Sequence, residues 1–431
     1  MKRRVIVAGG VIVVVAGAAL ALAWRPALAP IAPPPAASFA AQQIARGAVL
    51  AGAGYCATCH TAKGGQPYAG GYAMETPFGV IHSTNITPDV ATGIGAWSQA
   101  AFNRAMREGV ARDGSHLFPA FPYEHFSRLS DDDLVALYAY FMTRPPVQAE
   151  APRNTLPFPL NVRLLQAGWK LLFFRPQRDE PRADRSAEWN RGAYLAEGLA
   201  HCGACHTPRN ALGAERRAQA YAGAEIDHWI APPLDAANPS PVAWDVDELV
   251  AYLSTGVTRY HGTVAGPMAA VTRGIAQLPA EDIRAIAVYF ADLAGAAARA
   301  DATPAAVATA LARGAAGSGR SDDAAEPLYA AACASCHYNG ADGVNPLRPE
   351  LALGSAVHLD DPTNLIQVIL FGLDALDGAP GVVMPAFGRG LSDADVARLA
   401  AYLRATRSDR PPWPDLDKKV AQVRATGASA E

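Results

Sequence analysis

Three five-residue strings constrain this chain more than anything else in it: Cys56-Ala57-Thr58-Cys59-His60, Cys202-Gly203-Ala204-Cys205-His206 and Cys333-Ala334-Ser335-Cys336-His337. Together they use all six cysteines. Each is a C-x-x-C-H string, the signature of covalent c-type haem attachment. Its two thiols are spaced for thioether bonds to two vinyl groups, and the histidine then lies beneath the iron as proximal ligand. A thioredoxin-like redox pair is the competing reading of C-x-x-C; a histidine after all three copies argues against it. A zinc module is excluded by spacing, because no two cysteine pairs are close enough in sequence to form one four-ligand site. No thiol is left for a disulfide or a separate cluster. The cofactor expectation is therefore three haems c, attached at Cys56, Cys59, Cys202, Cys205, Cys333 and Cys336, with proximal ligands His60, His206 and His337.

The strings start 146 and 131 residues apart (56 to 202, 202 to 333), and their flanks repeat as well. Arg46-Gly47-Ala48-Val49-Leu50-Ala51 precedes the first and Arg191-Gly192-Ala193-Tyr194-Leu195-Ala196 the second; the third is shorter, with Leu328-Tyr329. Each copy closes on an amphipathic helix beginning Leu129-Ser130-Asp131, Leu278-Pro279-Ala280 or Leu391-Ser392-Asp393. Serine caps, acids in the first turn and an early proline suit a helix start. Apolar residues at helical spacing supply a buried face. A further helix is expected before each, over 97–110, 244–257 and 362–373. The expectation is an all-α chain of three tandem class I cytochrome c-like domains with an N-terminal transmembrane helix. Its domains are 30–150, 184–300 and 326–408, with an inter-domain segment at 151–183, a flexible linker at 301–325 and a tail at 409–431. Residues 156–174 form an apolar stretch carrying Arg163 and Lys170, too short to span a bilayer. Packing across two domains, a membrane-surface helix and a docking face all remain open for it.

The distal ligands are sought among six methionines, since a thioether opposite the histidine completes a high-potential electron-transfer site. Met268, in Gly266-Pro267-Met268, and Met384, in Val383-Met384-Pro385, each stand just before a closing helix and are assigned as distal ligands. The first copy breaks the pattern. Phe121 lies 61 residues after His60, where Met268 lies 62 after His206. Phenylalanine cannot ligate iron, which leaves His125, His116, His82, Met74, Met106 or no protein ligand. His125 is favoured, giving a bis-histidine site of lower potential; Met106 reads as core and Met74 as too close to His60. His201 is too near its cysteine to cross the haem, and His228, His261 and His358 read as surface or propionate-contacting residues.

Met1-Lys2-Arg3-Arg4 is basic, and residues 5–24 carry no charge. That length matches about 20 residues for a membrane span and exceeds the core of a signal peptide. The basic flank orients such an anchor with the haem domains outside the cytoplasm. Ala27-Leu28-Ala29 offers an alternative, a cleavage site, and either reading gives residues 1–29 as anchor or signal. The expected location is the inner membrane, facing the periplasm. A net charge of −3 gives no footprint for nucleic acid.

Four further stretches add a resemblance: Gly64-Gly65-Gln66-Pro67-Tyr68-Ala69-Gly70-Gly71; Ser83-Thr84-Asn85-Ile86-Thr87-Pro88-Asp89 with Thr92-Gly93-Ile94-Gly95; Leu137-Tyr138-Ala139-Tyr140-Phe141-Met142; and 201–210, His-Cys-Gly-Ala-Cys-His-Thr-Pro-Arg-Asn. Over 40–405 the chain resembles the three-haem cytochrome c subunits of bacterial membrane-bound dehydrogenases. The resemblance implies a non-catalytic subunit that takes electrons from a catalytic dehydrogenase and passes them to membrane ubiquinone or the respiratory chain. Within that family, the motif around Phe121 and Leu156-Pro157-Phe158-Pro159-Leu160-Asn161 look more like members serving molybdenum hydroxylases, with a molybdopterin and an iron–sulfur subunit, that oxidise aldehydes or N-heterocycles. Members serving quinoprotein alcohol or flavoprotein gluconate dehydrogenases usually carry methionine where Phe121 stands, and form the alternative. A peroxidase-like enzyme would need an open iron and a distal acid–base group such as Glu124 or His116; a freestanding shuttle conflicts with an anchor.

Overall fold

The computed structural model describes residues 17, 21, 23–316, 325–337, 343–374 and 378–428. The chain divides into two compact units, 1–180 and 181–431. The first holds one copy of the repeat; the second and third copies lie together in the other.

In the first unit, helix Ala41–Ala53 crosses the closing helix Asp131–Met142. The closing helix starts on Ser130, whose hydroxyl accepts from Asp133 N at 3.1 Å, and three aspartates in its first turn face the positive end of the helix dipole. Leu134, Leu137, Tyr138 and Phe141 are buried along it. The crossing is close because residue 47 is glycine: a Cβ there would collide with Ala136 O. Arg46 beside it donates from Nε to Asp133 Oδ1 at 2.9 Å. The third helix, Gln99–Glu108, is capped by Ser98 and ends at Gly109, left-handed at φ 61°, where a Cβ would meet the Tyr123 ring.

The same construction recurs in the second unit. Helix Ala187–Tyr194 crosses Ala280–Leu293, a Cβ at Gly192 would collide with Ala285 O, and Arg191 grips Asp282 with two bonds of 2.7 Å. Helix Val246–Thr255 runs from the Asp245 cap to left-handed Gly256. The second copy has one more residue than the first between its arginine and its first cysteine (191 to 202 against 46 to 56). A π-helical turn at Leu195–Leu199 absorbs it, with Ala200 N reaching back five residues to Leu195 O at 2.8 Å. In the third copy, Ala325–Ala332 packs on Asp393–Arg407, and Tyr329, Tyr402, Leu399 and Leu403 are buried together.

The all-α expectation needs correction. Two antiparallel hairpins interrupt the helices, Ala73–Thr76 with Gly79–His82 and Ala224–Ile226 with Trp229–Ala231. The second turns on Asp227 and His228, both at positive φ (46° and 62°), the two-residue turn that matches strand twist. The first turns through Pro77-Phe78, with Thr76 Oγ accepting from Phe78 N and donating to Gly79 O. The expected N-terminal transmembrane helix is not found among the described helices. Among the described residues no helix is long and apolar enough to cross a membrane, and most of residues 5–24 lies outside the described residues. The chain that follows lies along the first unit, with Leu28 N donating to Arg112 O at 2.8 Å and Ile31 N to Ala96 O at 3.1 Å.

The linker and the tail both contain helices. Residues Thr303–Ala316 form a helix rather than flexible linker; their many alanines favour it, and Ala310 packs with Val242, Ala352 and Leu353. The stretch 317–324 lies outside the described residues. In the tail, Leu416–Ala428 is a helix that buries Val420 and Val423.

The apolar segment resolves into a short 3-10 turn and helix Gln166–Phe173 with inverted polarity. Leu171 and Leu172 are 75% and 61% exposed, whereas Lys170 is buried. Lys170 Nζ donates to Glu108 O and Gly109 O, both at 2.6 Å, and lies 3.1 Å from His116 Nδ1. It thus neutralises the negative end of helix Gln99–Glu108. Burial and the nearby Arg25 charge lower its pKa to about 7.

Candidate haem attachment sites

Each C-x-x-C-H string forms a single helical turn: Cys56–Cys59, Gly203–His206 and Ala334–His337. The chain enters the first two through a left-handed residue, Tyr55 at φ 60° and His201 at φ 37°. The six cysteines form no disulfide. Burial pushes the Cys56 and Cys202 thiols up to about 12, and Cys205 and Cys333 up to about 11. A nucleophilic redox thiol needs the opposite shift.

The histidines share one arrangement. His60 Nδ1 lies 2.7 Å from Thr84 O, His206 Nδ1 2.7 Å from Pro232 O, and His337 Nδ1 3.2 Å from Pro349 O. A carbonyl only accepts, so Nδ1 carries the proton and Nε2 keeps its lone pair for a metal. Desolvation lowers the pKa of all three rings, which favours the neutral, ligating form.

The hairpins explain how those carbonyls arrive. Thr84 follows strand Gly79–His82 by two residues, and Pro232 directly follows Trp229–Ala231. The third copy uses a tighter turn, bridged between Asn345 and Arg348, ahead of Pro349. Beside the first two histidines, Thr61 and Thr207 accept from the amides of Tyr68 and Tyr221 at 3.2 and 3.1 Å. Both tyrosines sit at φ 64° and meet Phe141 and Phe290 of the closing helices edge-on at 5.4 and 5.3 Å.

The positions expected to supply distal ligands share a register along the chain. Gly109, Gly256 and Gly372 each end the third helix of their copy at positive φ. Phe121, Met268 and Met384 stand 12 residues beyond them (109 to 121, 256 to 268, 372 to 384). Met268 opens helix Met268–Ile275 and is half-buried; Met384 exchanges two 2.9 Å backbone bonds with Leu373. Phe121 packs on Phe126, with ring centroids 5.4 Å apart.

The other first-copy candidates separate. His125 lies one turn past Phe121, half-buried on Tyr123–Phe126. Both nitrogens of His116 are engaged, by Lys170 and by Ala23 O at 2.7 Å. Met106 is buried on its helix, and Met74 is in the first hairpin, paired with Ile81. His82 ends that hairpin, and its Nδ1 is buried without a partner. Elsewhere, His261 is buried and stacked on Trp244 at 3.8 Å, His358 Nε2 lies 2.8 Å from Ala352 O, and His228 shapes the second turn.

Residues that sequence reasoning missed are those acting through the backbone, Thr84, Pro232 and Pro349, and the buried Lys170. The two-residue turn chemistry of Asp227-His228 was the available signal for one hairpin.

Paired thiols beside a neutral, carbonyl-held imidazole suit covalent haem, and the fold and this framework define a c-type cytochrome. Residues 44–145 match the family described as cytochrome c, and 320–403 the family described as cytochrome c oxidase, cbb3-type, subunit III. The chain is 38% identical over 424 residues to the fructose dehydrogenase cytochrome subunit of Gluconobacter japonicus, covering 92% of this chain and 86% of that one. It is 35% identical over 409 residues to the cytochrome c subunit of the quinone alcohol dehydrogenase of Gluconobacter oxydans, covering 89% and 83%. It is 48% identical over 420 residues to a subunit of the nicotinate dehydrogenase of Pseudomonas putida, covering 95% of this chain but only 34% of that longer protein. The chain belongs to the family of dehydrogenase cytochrome c subunits.

Proposed function

We propose that this chain is the electron-transfer subunit of a dehydrogenase complex, carrying three covalent haems c and performing no substrate chemistry itself. The observation that carries the reading is the histidine–carbonyl arrangement repeated beside each pair of thiols. Bound haem supplies a one-electron iron couple. The protein's part is attachment and tuning. Cys56 and Cys59, Cys202 and Cys205, and Cys333 and Cys336 would each hold one haem through two thioether bonds. Thr84, Pro232 and Pro349 orient His60, His206 and His337 as proximal ligands. Met268 and Met384 would complete the iron ligation at the second and third sites, and His125 at the first.

Electrons enter from a catalytic dehydrogenase and leave to membrane ubiquinone or the respiratory chain, with the haem-bearing units on the periplasmic side of the inner membrane. A molybdenum hydroxylase with an iron–sulfur subunit, acting on aldehydes or N-heterocycles, is the partner we favour. The similarity to the nicotinate dehydrogenase subunit and Phe121 at the methionine register both support it; a quinoprotein alcohol or flavoprotein gluconate-type partner is the second reading, supported by the other relatives.

Intact mass and thiol titration of the denatured full chain, produced with a haem maturation system, test the first part. Three haem adducts and no free thiol are expected; two adducts with two free thiols would remove one site. Co-purification tests the partner: a molybdopterin protein supports our choice, and a quinoprotein or flavoprotein overturns it.

A further inference from the structure

Both hairpins present an outer edge of unpaired backbone groups, and both edges are closed by an asparagine. In the first copy the closing segment follows that same copy: His82 N donates to Asn154 Oδ1 at 2.9 Å, and Val80 exchanges bonds with Thr155, N to Oγ and O from N, each 3.0 Å. In the second copy it comes from the third. Asn364, on helix Thr363–Phe371, accepts from Ile230 N and donates to Ile230 O, both at 2.8 Å. Gln367, one turn on, donates to His228 O at 3.2 Å. The Asn364 amide thus replaces a neighbouring strand at Ile230, two residues before Pro232, whose carbonyl holds His206.

We propose that Asn364 is a positioning residue for His206, so that the third copy of the repeat sets the proximal side of the second haem site. A backbone held on both its N–H and its C=O at Ile230 fixes where the Pro232 carbonyl points. A carbonyl well aligned on Nδ1–H raises the basicity of the ligating nitrogen, a tuning that outer partners of metal-bound histidines commonly exert. A more basic ligand stabilises oxidised iron. Releasing the edge therefore weakens that alignment and raises the potential of the second haem. The inference rests on the reading that Cys202, Cys205 and His206 hold haem.

The test is a potentiometric titration of the full chain carrying its haems, comparing wild type with Asn364→Ala and Asn364→Leu. A Cys202→Ala/Cys205→Ala variant identifies the second haem's signal. Both Asn364 variants are expected to shift the oxidised-to-reduced equilibrium of the second haem at least threefold toward reduced, about 28 mV at about 59 mV per tenfold for one electron. The third haem, in the copy that carries the substitution, stays unmoved. If Asn364→Ala loses haem, Asn364→Leu carries the comparison, because it keeps the branched shape of the side chain, adds no charge and removes both bonds to Ile230. An unmoved second haem, or a shift confined to the third, overturns the inference. Absence of covalent haem at Cys202 and Cys205 in wild type would instead overturn the haem reading and the inference with it.

Discussion

Arg191 holds Asp282 with two parallel 2.7 Å hydrogen bonds, at the point where the first and last helices of the second copy cross over Gly192. The same pair of devices, Arg46 on Asp133 beside Gly47, stands in the first copy. The glycines allow contact and the arginines fix the angle, so the two contribute unequally. Gly192→Val is expected to destabilise the second unit by about 3 kcal/mol or more, since a backbone carbonyl cannot step aside. Arg191→Ala should cost about 1 kcal/mol, because its guanidinium is partly solvated. Thermal unfolding followed by circular dichroism separates the two; equal losses would contradict this ranking.

Phe121 occupies the register of Met268 and Met384. Placing a thioether there with Phe121→Met is expected to raise the first haem's potential toward those of the other two. His125→Ala should alter the spectrum of the first haem alone. Optical redox titration reads the former and low-temperature EPR the latter; a first haem indifferent to both changes would mean its distal side is built from other residues.

Lys170 gives a pH dependence with a definite sign. Its folded pKa, about 7, lies below the ordinary lysine value, so burial of its charge costs stability at every pH below 7. That cost is relieved as pH climbs from 7 toward the unfolded value near 10.4. Wild type should therefore gain on Lys170→Met between pH 7 and 9, by up to about 1.4 kcal/mol per pH unit. Urea unfolding at pH 6, 7.5 and 9 measures it, and a constant difference between the two proteins would show that Lys170 stays charged.

His261 acts in the acid range. Desolvation pushes its pKa down to about 3, below the unfolded value near 6.5. Its contribution is complete above pH 6.5 and is lost as pH falls toward 3. His261→Phe retains an aromatic ring against Trp244 and removes the titration. The variant should show its acid-unfolding midpoint at lower pH than wild type in a fluorescence titration; a coincident midpoint would assign acid lability elsewhere.

The repeats, the caps and the third helices were legible in the sequence because they depend on local pattern. Ser130 and Ser392 cap helices by their own side chains. The hairpins escaped notice because strands of three or four residues show little alternation. Thr303–Ala316 was hidden by composition: alanine and glycine read as loose chain, yet Ala310 finds Val242 and Leu353 to pack on. The burial of Lys170 has no local signal, since nothing local tells a lysine that a helix end 61 residues earlier lies within reach. At the sites, cysteine and histidine identities could be read directly, whereas the carbonyls that aim the histidines carry no side-chain signature.

The π-turn at Leu195–Leu199 has a consequence for how such sites change over time. An inserted residue is stored as one widened turn, upstream of the cysteines, and Cys202 still enters its helical turn through a left-handed residue as Cys56 does. The arm leading to the attachment point can thus lengthen while the crossing below it and the ligand above it stay put. Spacing along the chain thus differs by one residue between the two copies, while the place where the arm ends is the same.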